Sequence, residues 1–169
     1  HIGGTPYAGS TRLLPIASGL AENLFNGSVV AITIAGTVAL VTDQGTNGDP
    51  FPVGTIGVFV GCTYTDPNSG NITFSQYWPT TTVAADALAY VIDDPDVVFM
   101  AQTDAALTQV GLGMNTHFDA VPHATTSGNT TNGNSTMAID ATTANTATFA
   151  FRVVDFVDSP TSTVGDAFT

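Results

Sequence analysis

From residue 29 onward, apolar and polar positions repeat with a period of two. Val30, Ile32 and Ile34 share one face, Ala35-Gly36 makes a two-residue break, and Val38 and Leu40 resume the pattern, which predicts a β-hairpin. Residues 55–64 predict the next strand, with Ile56, Val58, Val60, Cys62 and Tyr64 on one face and Gly57, Phe59 and Gly61 on the other. Glycine at alternate positions of a strand marks a place where another backbone approaches closely. Asp66-Pro67-Asn68-Ser69-Gly70 is a turn, and residues 72–78 form the return strand. Further strands are predicted over 88–92 and 97–102, separated by the turn Asp93-Asp94-Pro95-Asp96, then over 114–118, 135–139 and 147–157. One short helix has room only within 103–114, where Gly111 and Gly113 limit it.

Residues 1–28 behave differently. Gly3, Gly4, Pro6, Gly9, Pro15, Gly19 and Gly27 are too closely spaced for a helix, so the segment reads as an extended N-terminal arm. It still carries Tyr7, Leu13, Leu14, Ile16, Leu20, Leu24 and Phe25. That much apolar area needs a surface to lie against, either a partner's or the chain's own domain. Residues 124–134 are low-complexity Thr, Ser, Gly and Asn and read as a mobile loop. The expected architecture is all-β, a small β-barrel or sandwich over residues 29–169, preceded by the arm 1–28.

Composition sharpens the class. Among 169 residues there are 14 acids and two bases, Arg12 and Arg152, giving a net charge of -12 with no lysine. Binding nucleic acid or an anionic membrane surface needs clustered cations, so both partners are excluded as expectations. The longest apolar stretch, residues 29–41, is too short to cross a bilayer and is broken by Thr33, Gly36 and Thr37. Thr alone supplies about a sixth of the chain, so surface polarity comes from neutral hydroxyls and amides.

Candidate chemistry is thin. Asp93, Asp94 and Asp96 form the sharpest acidic cluster but lack the calcium-loop spacing, and read as a solvated turn. His117 and His123 flank Asp119 at a spacing that suits neither finger-type nor zincin-type metal sites. Cys62 lies in an apolar strand pattern and reads as a small buried hydrophobe. Glu22 is the only glutamate and sits in the irregular lead-in, which leaves no facing carboxylate pair of the usual glycosidase kind. The absence of lysine removes Schiff-base chemistry. The chain is therefore expected to be a structural or binding module rather than an enzyme, with no cofactor and no metal.

Pro15-Ile16-Ala17-Ser18-Gly19, followed by Leu24-Phe25-Asn26-Gly27 and an apolar strand, resembles the start of small phage virion proteins encoded near the major capsid gene. Gly57-Val58-Phe59-Val60-Gly61-Cys62-Thr63-Tyr64, then Phe74-Ser75-Gln76-Tyr77-Trp78-Pro79, then Ala89-Tyr90-Val91-Ile92-Asp93-Asp94-Pro95 and Phe99, resemble their central blocks. The resemblance runs from about residue 15 to residue 155 and points to tailed phages, many of them marine.

That resemblance implies a capsid decoration, or cement, protein on the outer surface of the virion head. Its partner is then the major capsid protein, and its assembly a homotrimer. Tyr7, Arg12, Leu13, Leu14 and Ile16 of the arm become the expected contacts across a subunit boundary, with Arg12 either meeting an acidic patch or merely solubilising the arm. Two other readings stay open. A tail or head-fibre module binding glycan would need an exposed aromatic platform, for which Tyr64, Tyr77 and Trp78 are candidates. A bacterial surface fibre subunit would share the Thr-rich, lysine-free composition and take a strand donated by a neighbour.

Overall fold

The computed structural model describes residues 7–42, 54–118, 128–157 and 164–165, and among these the chain is all-β with antiparallel strand pairing. The strands are β1 (Arg12–Pro15), β2 (Leu24–Phe25), β3 (Val29–Ile32), β4 (Val38–Leu40), β5 (Thr55–Thr65), β6 (Ile72–Ser75), β7 (Tyr77–Trp78), β8 (Leu88–Ile92), β9 (Asn115–Thr116), β10 (Gly128–Asn129), β11 (Asn134–Ser135) and β12 (Phe151–Arg152). They fall into two compact units, the first built from the described residues up to 98 together with 128–136, the second from the remainder.

The first unit holds a six-stranded sheet. Its path runs β1-β8-β5-β3-β4, and β6 joins the far half of β5. An isolated bridge between Ile16 and Val38 brings the two ends of that path together, although the barrel does not close. Phe59, Cys62, Val91, Ala89, Val30 and Val38 form the buried face, each at most 1 % exposed. The short pair β2-β7 adds Leu24, Phe25 and Trp78 to the same core, and Tyr64 meets Trp78 edge-on at 5.1 Å. The core therefore includes Ile16, Leu24, Phe25 and Ser28, and the extended arm expected over 1–28 is corrected over residues 12–28: Arg12–Pro15 is a sheet strand, and Ile16, Leu24 and Phe25 are interior, while residues 1–6 lie outside the described residues. Ile16, Leu24 and Phe25 thus spend their apolar area on the chain's own core, whereas Leu13 stays 51 % exposed.

Local chemistry explains the hairpins. Between β3 and β4 the loop is Ile34-Ala35-Gly36, closed by the Thr33 N–H donating to the Thr37 carbonyl at 2.9 Å, with Gly36 at φ +76 in the left-handed position that a three-residue loop requires. Ile34, expected in the strand, is instead at the exposed tip. Between β5 and β6, Asp66 accepts hydrogen bonds from the Asn68 N–H at 3.0 Å and the Ser69 hydroxyl at 2.9 Å, an Asx turn that fixes the reversal.

Strand β5 departs from strict alternation. Its register to β8 pairs Phe59 with Val91 and then Gly61 with Tyr90, so Val60 is an extra residue in a β-bulge. The bulge exchanges the faces: Phe59 joins Cys62 and Tyr64 inside, while Val58 lies half-buried on the opposite side. The single apolar face expected from Ile56 to Tyr64 is thus split at Val60. The close backbone approach expected at the glycines is present, since a β-carbon on Gly57 would meet the Ile92 carbonyl.

The return strand expected over 72–78 breaks at Gln76 into β6 and β7. Of the loop expected over 124–134, residues 124–127 lie outside the described residues, and the rest is the hairpin β10-β11, with Gly133 at φ +74 in its turn. Gly128 packs on the Phe25 ring with no room for a side chain.

The second unit pairs β9 with β12, and Asn115 bridges Ala144 on the other side of β9. Phe118 and Phe151 pack edge-on at 4.5 Å, and the Thr116 hydroxyl donates to the Asp140 carbonyl at 2.6 Å. The expected helix reduces to a single 3₁₀ turn, Gln109–Gly111, followed by Gly113 at φ +80. No strand forms over 97–102, where Val98, Phe99 and Met100 are all exposed, and the long strand expected over 147–157 shrinks to Phe151–Arg152. Unlike the first unit, this one offers no long ladder for such runs to join.

Candidate functional site

The surface that stands out is the outer face of the six-stranded sheet. Directly opposed residues of an antiparallel pair point to the same side. The register therefore lays Pro15, Leu88, Thr63 and Phe74 in one row across β1, β8, β5 and β6. The adjoining row holds Leu13, Tyr90 and Gly61, and Ile72 lies beside Thr65 on the other side. No charged residue occurs at these positions. Leu13, Ile72 and Phe74 are 51 %, 72 % and 74 % exposed, and Leu88 and Tyr90 are half-buried.

Strand β6 makes the arrangement unusual. Its apolar residues Ile72 and Phe74 face solvent, while Thr73 and Ser75, opposite Tyr64 and Cys62, face inward. Ser75 is accommodated because its hydroxyl donates to the Tyr77 carbonyl at 2.6 Å. The alternation is the reverse of the usual apolar-in, polar-out pattern of a half-buried sheet. Beside Phe74 the surface dips into an open depression of about 240 Å³, lined by Gln76, Tyr77 and the turn 130–133.

Both ends of the face are acidic. At one end Asp86 accepts the Thr65 hydroxyl at 2.6 Å and the Thr65 N–H at 3.2 Å, and Asp66 follows β5. Those bonds hold the carboxyl of Asp86 below the ordinary value, the side-chain bond contributing most, and the Asn68 N–H, followed by the Ser69 hydroxyl, does the same for Asp66. At the other end, the turn after β8 carries Asp93, Asp94 and Asp96, with Asp94 accepting the Asp96 N–H at 2.9 Å.

The residues predicted as contacts do not form one group. Leu13 is on the outer face and Leu14 on the inner, half-buried; Ile16, at 4 % exposure, is part of the core and is withdrawn as an outward contact. Arg12 forms an ion pair with Asp93, Nε to Oδ2 at 3.0 Å, so its carboxylate partner is intramolecular. The Tyr7 hydroxyl donates to the Ser10 carbonyl, a local contact. The candidate aromatic platform is largely interior: Trp78 is 0 % and Tyr64 8 % exposed, and Tyr77 stacks on Phe25 at 5.6 Å.

The remaining candidates have structural surroundings. Burial pushes the Cys62 thiol up to about 12, and the sulfur lies 3.5 Å from the Tyr77 carbonyl. His117 packs edge-on against Phe149, with Nδ1 2.7 Å from the Phe118 carbonyl and Nε2 3.9 Å from Asp140. Asp119 and His123 lie outside the described residues, and no group of three or more His, Cys, Asp or Glu side chains suited to a metal occurs among the described ones. Glu22 accepts the Leu40 N–H at 2.9 Å, tying the lead-in to β4.

Ile72 and Phe74 were legible as strand residues but not as surface residues. The signal lies in the pairing rather than in β6 itself, because Cys62 and Tyr64 claim the inner face and leave the outer one to their neighbours' apolar partners. Compared with known proteins, the chain matches no family model, no curated protein and no solved structure.

Proposed function

We propose that the chain is a virion structural protein, a decoration or cement protein that binds the outer face of a tailed-phage head as a homotrimer and holds neighbouring major capsid subunits together. The observation that carries this reading is the inverted alternation of β6, which spends two large apolar side chains, Ile72 and Phe74, on solvent beside Leu13, Leu88 and Tyr90. Contiguous exposed apolar area on a stable scaffold is what a protein-binding surface requires. A surface without lysine meets protein neighbours with few charges to desolvate.

The test is reconstitution. Shells of the phage whose genome carries the gene, stripped of this chain, are mixed with the purified protein and imaged by cryo-electron microscopy. Ordered density at threefold positions on the shell exterior is the expected result. Unoccupied shells at saturating protein would refute the proposal. Because three chains at -12 each repel, trimers are expected to loosen when salt falls well below the roughly 0.1 M at which the Debye length is about 10 Å.

A further inference from the structure

We infer that the outer sheet face docks onto a protein surface that is apolar at its centre and carries Arg or Lys on two opposite sides, and not onto a second copy of this chain. The inference deepens the cement reading and rests on it for the identity of the partner, though not for the partner's chemistry.

The geometry has two parts. The uncharged rows centred on Leu88 and Phe74 run across four strands, which at about 4.8 Å between neighbours makes a strip roughly 15 Å long. Along the strand direction the face ends at one side in Asp66 and Asp86 and at the other in the turn carrying Asp93, Asp94 and Asp96. A docking surface with an apolar centre and a charged rim is the common anatomy of protein interfaces, and here acids outnumber bases at both ends, two to none at one and three to one at the other. Its complement carries cations at both ends.

A second copy is a poor complement. The chain has only two cations, Arg12 and Arg152. Arg12 already pairs with Asp93 at one end of the face, and Arg152 lies on β12 in the second unit. Face-to-face pairing of two copies would set acidic ends against one another or against neutral sheet, with Arg12, already paired to Asp93, the one cation that the first unit contributes. Homotrimer contacts are therefore expected on other surfaces.

The experiment uses the full chain and two probes. The first is the stripped shell described above. The second is a fluorescent peptide of alternating Leu and Arg, with a Leu/Glu peptide of equal length as control, followed by anisotropy. Phe74→Asp is the main variant and Phe74→Ser the reserve should the first fail to fold, with folding read from Trp78 fluorescence. Since Phe74→Asp adds an acid, simple electrostatic adsorption of the Leu/Arg peptide would strengthen, whereas docking on the face is expected to weaken at least tenfold. Asp86→Asn combined with Asp96→Asn, one at each end, is expected to weaken binding severalfold and to flatten its salt dependence.

Equal binding of the two peptides, or Leu/Arg binding unchanged or strengthened by Phe74→Asp, overturns the inference. So does self-association of the chain, seen by sedimentation equilibrium, that Phe74→Asp abolishes, because the occupant is then a second copy. Shells that bind the wild type and Phe74→Asp equally overturn it while leaving the cement reading in place. Shells that bind neither, with the peptide results as expected, overturn the cement reading and leave the inference standing.

Discussion

Gly57 lies against the main-chain carbonyl of Ile92, so closely that a β-carbon at position 57 would overlap that oxygen. The obstacle is backbone of the paired strand β8, which cannot rotate away. Gly57→Ala is therefore expected to cost about 3 kcal/mol or more, the upper part of the range for overpacking. Gly36 gives the contrast, with φ +76 but nothing within 4 Å of the place a β-carbon would take, so Gly36→Ala should cost only about 1–2 kcal/mol, the left-handed penalty. Urea unfolding of the two variants side by side measures the difference, and equal losses would contradict the packing argument.

Trp78 is wholly buried, and its indole Nε1 finds no hydrogen-bond partner among the described residues. An unsatisfied buried donor costs roughly 1–3 kcal/mol, which offsets part of the gain from burying the ring. Trp78→Phe removes the donor with part of the volume and is expected to cost clearly less than Trp78→Ala, for which about 3–5 kcal/mol is typical. Denaturation midpoints followed by circular dichroism decide the order, since the variants lose the fluorescent reporter.

Acid should destabilise the first unit through Asp86 and Asp66. Both have carboxyl groups held below the ordinary 3.8 by hydrogen bonds that exist only in the folded chain, from Thr65 in one case and mainly from Asn68 and Ser69 in the other. The ionised forms thus favour folding above pH 3.8, and that contribution disappears as pH falls through the depressed folded values. Unfolding midpoints between about pH 7 and pH 2.5 are expected to fall most steeply below about 3.8. Asp86→Asn should lose stability at neutral pH and converge on the wild type in acid.

Cys62 is expected to be unreactive in the folded protein. Its thiol, 1 % exposed and pushed up to about 12, has almost no thiolate at about pH 8, and its sulfur is out of reach of a reagent. Labelling by a disulfide reagent such as DTNB should follow unfolding, with denaturant restoring the full rate. Rapid labelling under native conditions would show that the β5 interior opens.

Much of the first unit was legible from sequence because its strands obey local rules. The turn at Asp66 announces itself, the glycine at 36 supplies a left-handed position, and 88–92 is a short apolar run ended by the acidic turn at 93–96. What escaped was set by partners far along the chain. Residues 12–15 look like an arm because Gly and Pro surround them, and only pairing with β8 makes them a strand. Val60 gives no local sign of being a bulge, yet it decides that Phe59 is core and Val58 is not. Of the candidate face, Leu13 was anticipated as a contact, whereas Phe74 and Ile72 were not, since their outward orientation follows from the register to β5. The second unit was least legible because its strands are two residues long, and the apolar run 97–100, which spans the boundary of the two units in sequence, mimics a strand yet joins no sheet.

The pairing of β1 with β8 also orders events during synthesis. Residues 12–15 have no ladder until residues 88–91 exist, whereas β3-β4 and β5-β6 are joined by short turns and can close as soon as they emerge. At about 5–20 residues per second, the ribosome leaves the N-terminal strand waiting for several seconds. Throughout that interval Leu13 and Leu14 are sticky and unpaired in the nascent chain. The last stitch of the sheet is therefore made by its first-made strand, which has to stay clear of other partners until β8 arrives.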